Sequence, residues 1–458
     1  MDKIEQRILD IIDANAERII AFGDDIWHHA ELSYMEYRTA KKFSDVMKEL
    51  GMETREGIAV TGVKSYLKPK EGGEVCLALI GEMDALPIPD HPDAWSETGA
   101  AHCCGHNAQI TGVMGAALAL ADPVVKEALG GNISFIGMPS EEGSTPPELR
   151  EQLMAEGKIH YKGGKCEFIH LGEFDDIDMA IGHHMAYGPH ERTSVNSCSM
   201  GAVEKRAIFH GKSTHPSQIA VGADTQAAAA LTMTAVHYAR ESFVKFLEWD
   251  QSKCMVHSMI LNGGNAVNVV TDQTEMGFDI RALDMPKMED LTYRVERCIK
   301  GACMATGRGA EIRTMPGYMP FSTLKDNSVV KEAIALLPPD DRYPVKEMGP
   351  QQARGTTDFA DVSTIMPLLF FMTAGHNGKP AHSVELNVTD PMEYYVTPAK
   401  IFALTAYRLL KDNAARAKQI IRDNPPVLTP AQWREAKEQQ KKVETIEMQL
   451  VPDFKKKA

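Results

Sequence analysis

Apolar and polar positions follow two different patterns along the first half of the chain, and each pattern predicts one kind of element. Continuous apolar runs at 75–80, 132–140 and 179–182 predict buried strands. The small and apolar residues of AQITGVMGAALALA, at 108–121, predict a helix between the first two strands. Strands that alternate with helices predict a parallel sheet in an α/β domain.

The pattern changes after residue 187. Two stretches with helical spacing follow, DTQAAAALTMTAVHYARES and MEDLTYRVERCIKGACMATG, together with strand-like stretches around 201–210 and in CMVHSMILN, TEMGFDIRALD and AEIRTM. Their order is β-α-β-β-α-β, which is the ferredoxin-like arrangement. We therefore predict a separate ferredoxin-like domain inserted into the α/β domain.

The α/β pattern then resumes. DNSVVKEAIALL and VTPAKIFALTAYRLLKD predict helices, and TIMPLLFFMTAG predicts a strand between them. A chain of 458 residues is too long for one compact core, which agrees with two domains. The predicted boundaries are 1–192 and 317–412 for the α/β domain, 193–316 for the inserted domain, and 413–458 for a charged C-terminal helix and tail. We interpret that last segment as a solvated surface element.

The composition and charge of the chain make several partners and locations poor candidates. The formal net charge is −14 and no Lys/Arg-dense stretch precedes the tail, so nucleic acid and anionic membranes are poor candidate partners. Apolar residues near the start recur at helical spacing between charges, unlike a signal peptide, and no stretch is apolar for long enough to span a bilayer. Eight scattered cysteines indicate reduced thiols in a cytoplasmic protein.

Potential metal ligands follow the predicted strands. They are Cys104, His106, Glu142, His184 and His382. Because sites in open α/β sheets form at the carboxyl ends of the strands, we expect these side chains to converge. Thiolate, imidazole and carboxylate together suit zinc, and the carboxylate also admits manganese.

Taken singly, each of these residues has a structural explanation. A lone histidine is more often a core or surface residue than a ligand, and Glu141-Glu142 is also compatible with a solvated acidic turn. The H-C-C-G-H cluster is more specific, because Gly105 allows a tight turn that points Cys104 and His106 at one centre. In an extended segment, Glu141 and Glu142 point to opposite sides, so one carboxylate is able to bind metal while the other faces substrate.

The motifs together identify a family. The chain resembles the aminoacylase/carboxypeptidase-like metal-dependent amidohydrolases and peptidases, in the branch of hippurate, auxin-conjugate and p-aminobenzoyl-glutamate hydrolases. The matching segments, in order up to about residue 411, are H-A-E-L-S at 29–33 with Glu36 and Thr39, G-E-M-D-A-L-P at 81–87, H-C-C-G-H-N at 102–107, P-S-E-E at 139–142, G-H-H at 182–184, G-K-S-T-H-P at 211–216, G-G-N-A-V-N-V-V at 263–270, G-T-T-D-F-A-D-V-S at 355–363 and A-H-S at 381–383.

The resemblance implies a catalytic α/β domain with two divalent metal ions per subunit, zinc or manganese, and an inserted lid that forms homodimers or higher homo-oligomers. It implies that the five ligands above bind the metals, that Glu141 is the general base and acid, and that Asp84 orients a ligand. On the lid, His215 resembles the residue that reaches the scissile carbonyl. The residues that resemble substrate-binding positions are Asn268, Arg281, Thr356 and Thr357.

Two departures bear on the substrate. Many members of the branch have Asp where this chain has Glu82 and Asn107; both replacements resemble the subgroup of p-aminobenzoyl-glutamate hydrolase and β-alanyl-lysine dipeptidase-like proteins. An extra segment at about 151–171 precedes the His184 strand and is positioned to reshape the pocket mouth.

The implied reaction is hydrolysis of the amide C–N bond of a small, carboxylate-bearing substrate, an N-acyl or N-aroyl amino acid or a dipeptide-like compound. A metal-activated water attacks, Glu141 transfers the proton, and the metals with His215 stabilise the oxyanion. Three alternatives stay open: hydrolytic deamination or other C–N cleavage on the same scaffold, an inactive homologue that only binds ligand, and thiol catalysis by Cys104 with His106.

Overall fold

A computed structural model describes residues 1–69, 72–186, 193–195, 198–240, 254–321, 324, 326–337, 345–347 and 355–449. The described residues divide into two compact units. The first comprises those of Met1–Cys198, Ser322–Gly349 and Asp361–Ala431, and the second comprises those of Ser199–Phe321, Pro350–Ala360 and Gln432–Ala458.

The strands, in chain order, are β1 (Glu53–Ile58), β2 (Gly62–Tyr66), β3 (Cys76–Glu82), β4 (Leu86–Pro87), β5 (Ala100–Ala101), β6 (Asn132–Met138), β7 (Met179–Met185), β8 (Thr193–Val195), β9 (Gly201–His210), β10 (Cys254–Asn262), β11 (Gln273–Ala282), β12 (Gly309–Pro316), β13 (Val345–Glu347), β14 (Leu368–Thr373) and β15 (Lys442–Ile446). The helices are α1 (Lys3–Ala14), α2 (Ala16–Trp27), α3 (Tyr37–Glu49), α4 (His106–Leu120), α5 (Pro123–Glu127), α6 (Pro147–Ala155), α7 (Gly164–His170), α8 (Thr225–Ala239), α9 (Met285–Thr306), α10 (Ser328–Ile334), α11 (Phe359–Ile365), α12 (Thr397–Asp423) and α13 (Pro430–Gln440).

The first unit is built on a mixed sheet with a parallel centre. Its strand order is β1-β2-β6-β3-β7-β14-β8-β13, and the four neighbours β6, β3, β7 and β14 are parallel. Every residue of these four strands is buried, as expected for strands covered on both faces. The predicted α/β class with a mostly parallel sheet is confirmed, and the carboxyl ends of four parallel strands meet at one edge.

Helix α4 connects the site to the core of this unit. Its residues are all buried, because its small and apolar side chains leave it without a polar face. It packs against α12, α2 and strand β3. The first turn of α4 carries His106, so a fully buried helix of the unit holds one of the predicted ligands.

Strand β7 is longer than predicted. The apolar run indicated a strand at 179–182 with histidines after it, whereas β7 continues to Met185 because it pairs with β14 as far as that residue. Consecutive strand residues point to opposite faces. His183 therefore packs into the apolar side, where its Nε2 lies 2.8 Å from Oγ1 of Thr373, and His184 points the other way.

The second unit contains the inserted domain, in the order β9-α8-β10-β11-α9-β12. This is the predicted β-α-β-β-α-β sequence of elements. Strand β9 alternates buried and partly exposed residues, since one face of its sheet packs against α8 and α9. The sheet order is β10-β11-β9-β12-β15, with all pairs antiparallel.

The interpretation of 413–458 as a solvated helix and tail is corrected for its described part. Helix α12 reaches Asp423 past a break at 411–414, α13 follows, and β15 pairs with β12 as a fifth strand of the second unit's sheet. Trp433 of α13 is fully buried. The sequence did not predict β15 as a strand, because it is an edge strand whose polar side chains face solvent and give the segment the composition of a solvated tail. Residues 450–458 lie outside the described part.

Candidate metal centre

A left-handed glycine shapes the turn that holds the first two predicted ligands. Gly105 has a φ of +87°, a backbone conformation that other residues adopt at a cost. It directly precedes α4, so Cys104 ends the loop and His106 begins the helix. Both side chains are buried and belong to one three-residue group with His184.

Two histidines from distant segments face the thiol of Cys104. The Sγ atom lies 3.3 Å from Nε2 of His184 and 3.4 Å from Nε2 of His382. His184 is oriented by its Nδ1, which lies 2.9 Å from the carbonyl oxygen of Met185. His382 has a positive φ of 63° and donates its main-chain N–H to the carbonyl of Cys103. Such a strained position at a side-chain cluster is typical of functional sites.

Asp84 links two other members of the cluster. Its Oδ1 lies 3.0 Å from Nδ1 of His106, and its Oδ2 accepts hydrogen bonds from the main-chain N–H of Glu142 and the hydroxyl of Ser33. The carbonyl oxygen of Asp84 also lies 2.9 Å from Nδ1 of His106. With Nδ1 engaged in this way, Nε2 is the nitrogen of His106 that faces the cluster.

The predicted carboxylate ligand lies among these groups. Oε1 of Glu142 is 3.3 Å from Nε2 of His382 and 4.0 Å from Nε2 of His106. The structure therefore brings together all five predicted ligands: Cys104, His106, Glu142, His184 and His382.

The donor set and its spacing fit divalent metal ions. In a tetrahedral zinc site the bond lengths to sulfur and nitrogen separate neighbouring ligand atoms by about 3.5 Å, close to the spacings around Cys104. Nε2 of His106 and Oε1 of Glu142 are buried, and within the described part of the chain neither makes a hydrogen bond of good geometry. Each atom has an ionisable neighbour, Glu82 at 3.0 Å from Nε2 of His106 and His382 at 3.3 Å from Oε1 of Glu142, and a metal ion would add the well-directed bond that these contacts do not provide.

Burial dominates the electrostatics of the cluster. Together with Glu142, it raises the pKa of the Cys104 thiol well above its ordinary value, and it lowers the pKa of His184 to about 4. Burial also opposes a charge on His106, but the Glu82 carboxylate and the contact with Asp84 overcome it and raise the pKa of that imidazole. Without metal the Cys104 thiol and the His106 imidazole therefore hold protons, which a bound cation replaces.

Glu141 lies beside the ligands on a strained turn. Ser140, with a φ of 49°, donates its main-chain N–H to Glu36 and its hydroxyl to the carbonyl of Lys162. Glu141 follows, with Oε2 3.8 Å from Nε2 of His106. Its carboxylate is thus adjacent to the cluster, as the proposed proton carrier needs to be.

Two residues at the cluster were not predicted. Glu82 lies at the end of β3, with Oε2 3.0 Å from Nε2 of His106, and its other oxygen pairs with Lys165. Lys165 comes from the extra segment at 151–171, which contains α7 and the end of α6. The sequence showed that Glu82 departs from the branch and that the extra segment contains a lysine. Nothing in the sequence indicated that these two residues form a pair.

The other departure has a structural role. Asn107 is buried in the first turn of α4 and donates to the hydroxyl of Tyr395 at 3.0 Å. Its amide therefore faces the packed interior.

His215 and Asn268 lie in the second unit, near one another along its backbone. An antiparallel bridge joins Thr214 to Val270, with the N–H of Val270 donating to the carbonyl of Thr214. Both His215 and Asn268 are exposed. The main-chain N–H of Ser217 donates to Nδ1 of His215, so in the neutral imidazole the proton is on Nε2.

The remaining predicted substrate contacts are also in the second unit. Nε of Arg281 donates to both carboxylate oxygens of Asp279 on β11. Thr356 and Thr357 are partly buried, and the hydroxyl of Thr357 accepts the main-chain N–H of Phe359. These contacts fix the direction of the Arg281 and Thr357 side chains.

Comparison with known proteins places this site in a family. The model of Peptidase family M20/M25/M40 matches residues 78–408. The chain is 26% identical to a component of the p-aminobenzoyl-glutamate hydrolase of Escherichia coli over 71% of this chain and 64% of that protein, slightly less than two thirds of its length. It is 24% identical to thermostable carboxypeptidase 1 of Saccharolobus solfataricus over 85% of this chain and 95% of that protein.

A solved structure supports the same fold. A dinuclear metal binding peptidase of the M20 family from Bacillus subtilis superposes with a TM-score of 0.65 at 22% identity, covering 87% of this chain and 99% of that one. Within the described residues, no helix is long and apolar enough to cross a membrane. The matched region contains every predicted metal ligand, and the predicted resemblance and enzyme class, a hydrolase acting on C–N bonds, are confirmed: the chain belongs to Peptidase family M20/M25/M40.

Proposed function

We propose that this chain uses two divalent metal ions, zinc or manganese, to hydrolyse the amide bond of an N-acyl or N-aroyl amino acid or a dipeptide-like substrate. The observation that carries the proposal is the cluster of thiol, imidazole and carboxylate groups around Cys104, with neighbouring ligand atoms 3.3–3.4 Å apart. The thiol favours zinc, because manganese prefers oxygen ligands.

The five proposed ligands fall into two sets. Cys104, His184 and His382 form one set of contacts, while His106 and Glu142 provide two buried atoms that, among the described residues, lack hydrogen bonds of good geometry. When bound, two divalent ions activate water as a nucleophile and polarise the substrate carbonyl. Asp84 acts as the orienting partner, because it fixes the ring of His106 and the main chain of Glu142 at once.

Glu141 is the proposed general base and general acid. Its carboxylate lies beside the cluster, 3.8 Å from Nε2 of His106, and its neighbour Glu142 occupies the ligand position. Glu141 takes a proton from the attacking water and delivers it to the leaving nitrogen, so that the amine departs neutral. Both carboxylates lie close to the same atom, Nε2 of His106, so the proton carrier is adjacent to the attacking water that it would deprotonate.

The inserted domain supplies three of the proposed substrate contacts, and the loop of Thr356 and Thr357 supplies the others. Because Nδ1 of His215 accepts the main-chain N–H of Ser217, Nε2 is left to donate to the carbonyl oxygen as negative charge develops there. Asn268 lies near the same backbone bridge and offers an amide for the substrate's carboxylate. Arg281, oriented by Asp279, is proposed to bind that carboxylate with its guanidinium. Thr356 and Thr357 are proposed to line the pocket.

We further propose a cytoplasmic homodimer or higher homo-oligomer that acts on small molecules. Free thiols at all eight cysteines support a reducing compartment. Strand β10 is an edge strand with exposed Met259, Ile260 and Leu261, which supports association through the inserted domain. The proposed boundaries of that lid and dimerisation domain are 193–316, between catalytic segments 1–192 and 317–412.

A hydrolysis screen tests the reaction. Protein loaded with zinc or manganese is offered N-acyl, p-aminobenzoyl and β-alanyl amino acids and dipeptides, with the free amino acid and ammonia measured separately. We expect amino acid release from at least one amide class, and almost none from Glu141→Gln protein. Ammonia released without amino acid would instead support deamination, and activity that survives metal removal would contradict the proposal.

A further inference from the structure

The extra segment brings a lysine to the metal centre. Lys165 and Glu82 form an ion pair in which both side chains are buried, with 0% and 1% of their surfaces exposed. Glu82 ends strand β3, two residues before Asp84, whereas Lys165 lies in the first turn of α7. An ion pair so completely removed from water is retained only where its geometry is well supported.

The backbone around Lys165 is built for this approach. Gly164 donates its N–H to the carbonyl of Ser140 at 2.7 Å, and a Cβ on Gly164 would lie 1.9 Å from the carbonyl oxygen of Pro139. The hydroxyl of Ser140 also donates to the carbonyl of Lys162. Only glycine permits such close contact, so the start of α7 is fixed against the turn that carries Glu141.

Glu82 connects this lysine to a proposed ligand. Oε1 of Glu82 pairs with Lys165, while Oε2 accepts a hydrogen bond from Gln109 at 2.5 Å and lies 3.0 Å from Nε2 of His106. Because Asp84 engages Nδ1 of His106, the nitrogen beside Glu82 is the one left for metal. The Glu82 carboxylate therefore lies at the edge of the proposed metal centre, with one oxygen held by Lys165 and the other held by Gln109 beside His106.

We propose that Lys165 is a positioning residue: it neutralises Glu82 and fixes it beside His106, and this charge pair sets how tightly the centre holds its metal. The inference rests on the proposed metal-dependent function. It assigns a role to the extra segment, which provides a cation at the edge of the metal centre in addition to any effect on the pocket mouth.

The charges of the pair act on a metal ion with opposite signs. Lys165 repels a divalent cation and Glu82 attracts it, and in a buried site these effects are screened far less than in water. Removing only the lysine leaves an additional anion beside the centre, whereas removing only the carboxylate charge leaves an additional cation. A purely structural role would instead make both variants bind metal less well.

Zinc affinity of metal-free protein, measured by competition with a chelating dye, tests the proposal. We expect Lys165→Met to bind Zn²⁺ about tenfold or more tightly than wild type, and Glu82→Gln to bind it about tenfold or more weakly. The double variant should return to within about threefold of wild type, because it leaves neither charge of the pair without its partner.

Lys64 provides the matched control. Its side chain is also buried, at 2% exposure, and its Nζ lies 2.8 Å from Oδ1 of Asp176. Neither residue belongs to the ligand cluster. Lys64→Met should lower the thermal midpoint without changing zinc affinity. If Lys165→Met does not fold, the comparison of Glu82→Gln with the double variant measures the same lysine charge, and the double variant should bind zinc more tightly, by about tenfold or more.

The outcomes separate this inference from the proposed function. Equal affinities, or weaker binding in both single variants, would overturn the role of Lys165 while leaving the metal centre intact. A wild-type protein that binds no zinc at micromolar concentration would overturn both proposals.

Discussion

Asp84 holds His106 through two oxygens, with Nδ1 of the imidazole 3.0 Å from the carboxylate Oδ1 and 2.9 Å from the main-chain carbonyl of the same residue. This double contact selects Nε2 as the atom that faces the ligand cluster. The other carboxylate oxygen accepts the N–H of Glu142, so one buried side chain orients a ligand from α4 and a ligand from the loop after β6.

Replacing Asp84 should therefore weaken metal binding without removing a ligand. We expect Asp84→Asn to lower metal affinity about 10- to 100-fold, the usual effect of losing an orienting partner. Competition with a chelator measures this change. Asp176→Asn, which removes a carboxylate paired with Lys64, should leave metal affinity unchanged; a similar loss in both variants would indicate a general effect on folding.

Adjacent cysteines allow a stringent test of the ligand assignment. Cys103 and Cys104 are both buried, but of the two only Cys104 has its thiol positioned among the cluster histidines in the group of possible ligands. Cys104→Ala should lose most bound metal and activity, whereas Cys103→Ala should retain both, as measured by metal content per chain. If chelation left activity in wild-type protein but alkylation of Cys104 abolished it, thiol catalysis would replace the metal mechanism.

Glu141→Gln should separate metal binding from proton transfer. The variant keeps a side chain of the same shape, so we expect wild-type metal content and thermal midpoint. Turnover should fall about 10²- to 10⁴-fold, since the proton carrier is lost. Steady-state hydrolysis of the best substrate measures this, and a variant that retained a tenth or more of wild-type turnover would show that Glu141 is not the base.

Gly105→Ala should destabilise the fold for two reasons. The left-handed conformation alone costs about 1–2 kcal/mol in a residue with a Cβ, and that Cβ would lie 2.8 Å from Cγ of Met185. Gly51→Ala is the control, because Gly51 has a similar φ of 74° and nothing within 4 Å of its Cβ position. Chemical denaturation should show a larger loss at Gly105, and equal losses would mean that the Met185 contact relaxes without cost.

The lowered pKa of Asp25 predicts how the free energy of unfolding depends on pH in acid. Burial opposes its ionisation, but Arg38 and Lys42 outweigh burial and lower its pKa to about 2. Because the folded pKa lies below the unfolded value of about 3.9, the stabilisation is present above that value and is lost as the pH falls through about 2.

The free energy of unfolding of wild type and Asp25→Asn, measured from pH 6 to pH 2, tests this. The variant should be less stable at pH 6, and the difference should shrink toward pH 2. Asp45→Asn, in an exposed pair with Lys41, should show a much smaller difference at pH 6. A difference for Asp25→Asn that stayed constant over the whole range would contradict the assignment.

The convergence of the five candidate ligands was predictable from the sequence, because strand order determines which loops meet at one edge of the sheet. Cys104, Glu142 and His382 are far apart in the chain, but their segments follow parallel strands or the loops beyond them, whose ends meet at one sheet edge. The extent of β7 was not predictable, since the apolar pattern ends before His183 and only pairing with β14 continues the strand.

The sequence could not predict two features that are built from charged residues, the buried ion pair beside the metal centre and the edge strand β15. Lys165 and Glu82 are 83 positions apart, and both residues are ordinarily exposed. Their pairing depends on the close packing of Gly164 against Pro139, a tertiary contact with no local signal. Strand β15 escaped prediction for a similar reason, because an edge strand rich in charged residues has the composition of a solvated segment.

Metal content of the purified protein, measured by mass spectrometry of its elements, tests the central claim most directly. The account predicts about two divalent metal ions per chain, zinc or manganese, in protein whose ligand cluster is intact. A fully folded protein that contained no stoichiometric divalent metal, and took up none from solution, would contradict it.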